Sequence, residues 1–89
     1  MTVFILPSER KIHRLGVTAT KKAIGNKAHD RNRAKRLIRE SFRLSRAELN
    51  VLATKYDWVV NARRSLLAVK LDKPLAEFRK IVERVATAS

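Results

Sequence analysis

The stretch from Asp30 to about residue 48 constrains the fold more than any other part of the sequence. Asp30 is expected to cap a long helix. Ala34, Leu37, Ile38 and Phe42 then follow the i, i+3, i+4, i+8 spacing of one buried stripe. At about 100° per residue, Asn32, Lys35, Arg36, Arg39, Arg43 and Arg46 share an arc of roughly 100° beside that stripe. Seven basic groups lie between Arg31 and Arg46, and Glu40 is the one acid among them. Like charges one turn apart, such as Lys35 and Arg39, cost about 0.2–0.5 kcal/mol per pair. A face kept only for solubility mixes its signs. Such a helix therefore needs two partners: an apolar surface for its stripe and an anion for its ridge.

The flanking segments supply the apolar surface. Residues 2–6 form a β-branched and aromatic run ended by Pro7, the pattern of a strand. Residues 14–20 alternate, with Leu15, Val17 and Ala19 pointing one way and Arg14, Gly16, Thr18 and Thr20 the other. The two runs are expected to pair as a hairpin. Residues 21–29 read as a basic loop around the turn dipeptide Gly25-Asn26. Residues 50–55 are expected to turn. Residues 56–63 read as a third strand, with Tyr56, Trp58, Val60 and Ala62 on one face and Asp57, Val59, Asn61 and Arg63 on the other. A loop at residues 64–69 leads to a last helix capped by Asp72, with Pro74 in its first turn and Leu75, Phe78, Val82 and Val85 as its stripe. The order β-β-α-β-α describes an α+β domain, one small sheet with helices packed on it. At 89 residues the chain is expected to be a single domain over residues 1–89.

Charge narrows the function. Twenty-one Lys and Arg against eight Asp and Glu give a net charge of +13. Residues 10–46 hold thirteen of the bases and two of the acids, so one region carries nearly all the excess. That concentration marks a polyanion-binding face, although basicity alone fits DNA, RNA or an anionic membrane. The apolar runs are too short to cross a bilayer and no signal-peptide pattern is present, so a cytoplasmic protein is expected. Strands rather than a helix-turn-helix pair flank the basic helix, which favours folded RNA over DNA. There is no cysteine, and His13 and His29 lack metal-ligand spacing, so no metal site is expected. The serines lack a nucleophile context and the acids are scattered, so no catalytic residue is expected either. Trp58 and Tyr56 read as core.

One family fits these features. The segment Arg31-Asn32-Arg33-Ala34-Lys35-Arg36-Leu37-Ile38-Arg39-Glu40-Ser41-Phe42-Arg43 closely resembles the RNR motif of the protein subunit of bacterial ribonuclease P. Residues 14–22 resemble the strand that precedes that motif, and residues 56–63 the strand that follows it. The resemblance implies a left-handed strand-helix-strand crossover, against the general rule. It implies a subunit of an RNA-based endoribonuclease, in which the RNA is the catalyst and the protein supports removal of the 5′ leader from precursor tRNA. Arg31, Asn32, Arg33, Lys35, Arg36, Arg39 and Arg43 would then face the catalytic RNA, with Lys21, Lys22 and Arg63 as supporting contacts. Phe4 and Val17 would floor a groove for the leader. The protein alone would bind no cofactor, and magnesium would belong to the RNA holoenzyme. The family's usual first helix and short strand have no counterpart before Val3, so one sheet face is expected to be uncovered, or covered by a second copy. The alternative is a ribosomal or other structured-RNA-binding protein with no part in precursor cleavage.

Overall fold

The computed structural model describes residues 1–9 and 11–88. Its sheet has three strands, β1 (Thr2–Pro7), β2 (Arg14–Thr18) and β3 (Tyr56–Asn61), in the order β1-β3-β2. β1 runs antiparallel to β3 and β2 runs parallel to it. The hairpin expected between β1 and β2 does not form, because β3 lies between them. The reason is burial: Trp58 and Val60 are both fully buried, and a strand that apolar is best placed where both its edges are paired. Proximity in sequence loses to that demand.

The register sorts the side chains into two faces. Val3, Val60 and Val17 form one row, and Ile5, Trp58 and Leu15 the next, all turned toward the helices. The opposite face carries the rows Thr2–Asn61–Thr18, Phe4–Val59–Gly16 and Leu6–Asp57–Arg14. Phe4 is 56% and Leu6 61% exposed there. The sheet is thus an apolar wall on one side and an open surface on the other.

Residues 21–29 are more ordered than a loop. A short helix α1 (Lys21–Ile24) is capped by Thr20, whose hydroxyl accepts from the Ala23 amide at 3.1 Å. It ends at Gly25, whose φ of 122° is a conformation that side chains with a Cβ rarely adopt. The long helix α2 (Ala28–Leu44) starts ahead of Asp30, with Lys27 at the cap position and no side-chain cap. Asp30 sits in the first turn instead, where a carboxylate still favours the positive end of the helix dipole.

α2 also ends earlier than residue 48. Ser41 and Ser45 are fully buried, and each hydroxyl donates to the carbonyl one turn back, Leu37 at 2.8 Å and Ser41 at 2.7 Å. The Ser45 amide is shared between the carbonyls of Ser41 and Phe42, and the chain breaks there into α3 (Arg46–Asn50). Back-bonding serines of this kind bend helices. The buried stripe is therefore Ala34, Ile38, Ser41 and Ser45, with Leu37 and Phe42 half-buried at its margins.

After β3, a 3-10 turn (Arg64–Ala68) occupies the expected loop, and α4 (Asp72–Ala88) follows with Pro74 buried in its first turn. Two apolar clusters fill the space under the helices. One joins Ile24, Ala34, Ile38, Val60, Ala62 and Leu66; the other joins Leu49, Leu52, Trp58, Phe78 and Val82. Phe78 packs on both Trp58 and Phe42, with ring centroids 5.5 and 5.9 Å apart. Among the described residues, no helix is long and apolar enough to cross a membrane.

Candidate nucleic-acid interface

With the stripe of α2 packed inward, the ridge faces out. Asn32, Arg33, Arg36 and Arg39 are exposed and Lys35 is half-buried. None of the four cations has an ion-pair partner among the described residues. Two other residues expected to face the RNA are partly committed elsewhere. Arg31 is half-buried, and its Nη1 donates to the Gly25 carbonyl at 3.0 Å, tying the start of α2 to the end of α1. Arg43 is paired with Glu40 one turn back, its Nε donating to both carboxylate oxygens at 3.0 and 3.1 Å and its Nη2 bonded to Oε1. That hydrogen-bonded contact with Arg43 lowers the Glu40 pKa, and the same contact raises the Arg43 pKa. The uncompensated charge of α2 is thus concentrated on Arg33, Lys35, Arg36 and Arg39, in the middle of the helix.

The supporting cations gather at one end of the sheet. β2 and β3 both finish there, at Thr18 and Asn61, and β1 begins there at Thr2. Lys21 and Lys22 are exposed on α1, directly after β2. Arg63 follows β3, and its Nε and Nη2 both donate to the Thr2 hydroxyl, at 3.0 and 2.6 Å. The Thr18 hydroxyl is bonded to the Asn61 side-chain oxygen beside it. A pocket of about 570 Å³ opens at this corner, with Phe4, Arg63, Thr18, Asn61 and Ala23 among its lining residues. Phe4 and Arg63 therefore meet in one concave site.

Val17 does not join them. It is paired with Val60 and turned into the helix-side core, whereas Phe4 lies on the open face. Residues of one strand alternate in face, so an odd-numbered β2 position here cannot share a floor with Phe4. The neighbours of Phe4 across the open face are Val59 and Gly16. Val59 was legible as an open-face residue from the alternation of the third strand. Only the register shows that it sits beside Phe4.

His13 is the residue whose part was least visible in the sequence. Its Nδ1 accepts from both the Tyr56 amide, at 3.1 Å, and the Trp58 indole, at 3.0 Å. An atom taking two N–H donors holds no proton, so Nε2 carries it and donates to the Leu49 carbonyl at 3.0 Å. Burial lowers the His13 pKa, and the charge of Lys55 lowers it further. The imidazole is a neutral fastener joining the start of β2 to the start of β3 and to α3.

The sequence matches the model of a family described as Ribonuclease P over residues 1–86. The ribonuclease P protein component of Methylococcus capsulatus is 45% identical over 69 residues, covering 78% of this chain and 50% of that protein. That of Haemophilus influenzae is 44% identical over 72 residues, covering 81% and 53%. The chain spans about half the length of these curated relatives. Among solved structures, the RNase P protein from Thermotoga maritima matches with a TM-score of 0.74 at 26% identity, over 92% of this chain and 74% of that one. The RNase P protein of Staphylococcus aureus matches with a TM-score of 0.69 at 24% identity, over 93% and 72%, a likeness of fold alone.

Proposed function

The chain belongs to the ribonuclease P family, and from that membership we propose that it acts as a protein component of ribonuclease P. In this reading it binds the catalytic RNA through α2 and the 5′ leader of precursor tRNA on the open sheet face, supporting maturation of the tRNA 5′ end in the cytoplasm. The RNA performs the hydrolysis with its own magnesium, and the protein contributes charge and position.

The observation that carries the reading is the unpaired ridge of α2. Among the described residues, Arg33, Lys35, Arg36 and Arg39 stand without acidic partners, on a helix held rigid by its buried stripe. Fixed cations on a rigid element neutralise phosphates at little cost in ordering, and each contact releases condensed counterions. Asn32, exposed just ahead of them, adds a donor and an acceptor for oriented bonds. The corner pocket suits a single strand: the Phe4 ring can stack on a base while Arg63, Lys21 and Lys22 attract its backbone.

Reconstitution tests this directly. The purified chain is combined with a bacterial ribonuclease P RNA and assayed for precursor tRNA cleavage at low magnesium, with protein-alone and RNA-alone controls. Cleavage that neither component sustains alone is the expected result. Binding of the RNA without restored cleavage would favour the alternative of a structured-RNA binder. Cleavage by the protein alone would overturn the assignment of catalysis to the RNA.

A further inference from the structure

A second concave site lies at the other end of the sheet, where β2 and β3 begin and α2 gives way to α3. This pocket of about 470 Å³ is lined by Lys11, His13, Phe42, Arg46, Asn50 and Lys55, with Ile12 and Leu49 completing its wall. Its size lies within the ~300–1,000 Å³ range of small-molecule sites, but other hollows on the molecule are as large. Charge is what separates it. The pocket between the 3-10 turn and α4 mixes Lys73 and Lys80 with Asp72 and Glu77, and the one near the end of α4 mixes Arg84 with Glu83. This pocket has three cations and no carboxylate. None of the three is ion-paired among the described residues.

We propose that this pocket binds one unpaired nucleotide, its phosphate held by Lys11, Arg46 and Lys55 and its base laid against the apolar wall. The residues divide the work by chemistry. Ammonium and guanidinium groups supply charge-assisted donors to phosphate oxygens. Ile12, 61% exposed, and the half-buried Phe42 provide apolar surface that is costly to leave in water and that a base can cover. Asn50 adds a donor and an acceptor within reach of the pocket, the means of reading a base edge.

His13 explains why the pocket is preformed. Both its nitrogens are engaged, with Tyr56, Trp58 and Leu49, so it has no lone pair for a metal and no free proton to give. It is a wall, stacked on Tyr56 with ring centroids 6.2 Å apart. Its three bonds hold the segments that carry Lys11, Asn50 and Lys55 in fixed relation. The site lies at the opposite end of β2 and β3 from the Phe4–Arg63 pocket, so the two do not share a ligand subsite. Choosing a nucleotide over another phosphorylated ligand rests on the RNA-binding reading above.

The test is a titration of the intact, 15N-labelled chain with adenosine monophosphate, and separately with inorganic phosphate, followed by amide and indole chemical shifts. Trp58 is the single tryptophan, and its indole N–H is bonded to His13, so it reports on the pocket wall from inside. Saturable shifts at His13, Asn50, Lys55 and the Trp58 indole are expected with the nucleotide, with clearly weaker binding of phosphate. The Lys11→Ala/Lys55→Ala double variant should weaken nucleotide binding by about tenfold or more, the loss expected of charge-assisted bonds. Lys80→Ala, on α4, should leave it unchanged. Equal affinity for phosphate and nucleotide would overturn the base subsite. Shifts confined to residues 32–39, or an unaffected double variant, would overturn the pocket altogether. No RNA partner is present in this titration, so its failure leaves the reconstitution result standing, and failed reconstitution leaves the titration standing.

Discussion

Glu40 makes the ridge of α2 testable in both directions. If free cations on this helix neutralise phosphates, each contact contributes about 0.9 unit to the slope of log K against log salt concentration. Arg36 and Arg39 are exposed and without an ion-pair partner among the described residues, so Arg36→Ala and Arg39→Ala should each flatten the slope by about that amount. Between 50 and 200 mM salt, that change corresponds to roughly 3.5-fold per contact. Arg43 is different, because Glu40 already holds its guanidinium through three hydrogen bonds. Glu40→Ala removes that partner and frees a cation one turn beyond Arg39. RNA affinity should therefore rise, and the slope should steepen by up to about one unit. Filter binding or fluorescence anisotropy with a bacterial ribonuclease P RNA, over a salt series, reads all three variants. A weakened Glu40→Ala complex, or unchanged slopes for both Arg36→Ala and Arg39→Ala, would refute α2 as the interface.

Other consequences follow from burial and from His13. Folding holds His13 neutral with a lowered pKa, so the unfolded chain binds the extra proton. Its stabilisation is complete above the unfolded value of about 6.5 and is lost as pH falls from there through the lowered folded value. Thermal melts across that window should show the loss, and His13→Leu should flatten it. Trp58→Ala deletes a fully buried ring at the centre of the second cluster and should cost about 3–5 kcal/mol in urea unfolding. Phe4→Ala, at a ring 56% exposed, should stay within ~0.5 kcal/mol of the parent. In the reconstituted enzyme that variant should slow cleavage of a precursor with a long leader more than one with a single-nucleotide leader.

Local pattern determined a good part of this protein. Period-two alternation placed Trp58, Val60 and Ala62 on the buried face, and three-to-four spacing placed Ala34 and Ile38 under α2. Both signals are properties of neighbouring residues, which is why they survive without a partner in view. The clustering of bases between residues 10 and 46 pointed to a polyanion for the same reason, since charge is carried by the residue type. The helix start at Ala28 and its break at Ser45 were harder, because Lys27 bears no cap signal and Ser41 and Ser45 are polar residues in buried positions.

Tertiary structure alone decided what stands beside what. Whether β1 pairs with β2 or with β3 depends on which strand most needs both edges covered, a comparison among segments far apart in the chain. That choice placed Val59 rather than Val17 beside Phe4, and it brought Arg63 to the Thr2 hydroxyl 61 positions away. His13 bonds residues 36, 43 and 45 positions distant, so no window of sequence contains its role. Residue type sets what each side chain can do. Which of them act together is set by the sheet order, because a single change of strand neighbour reassigns every cross-strand contact.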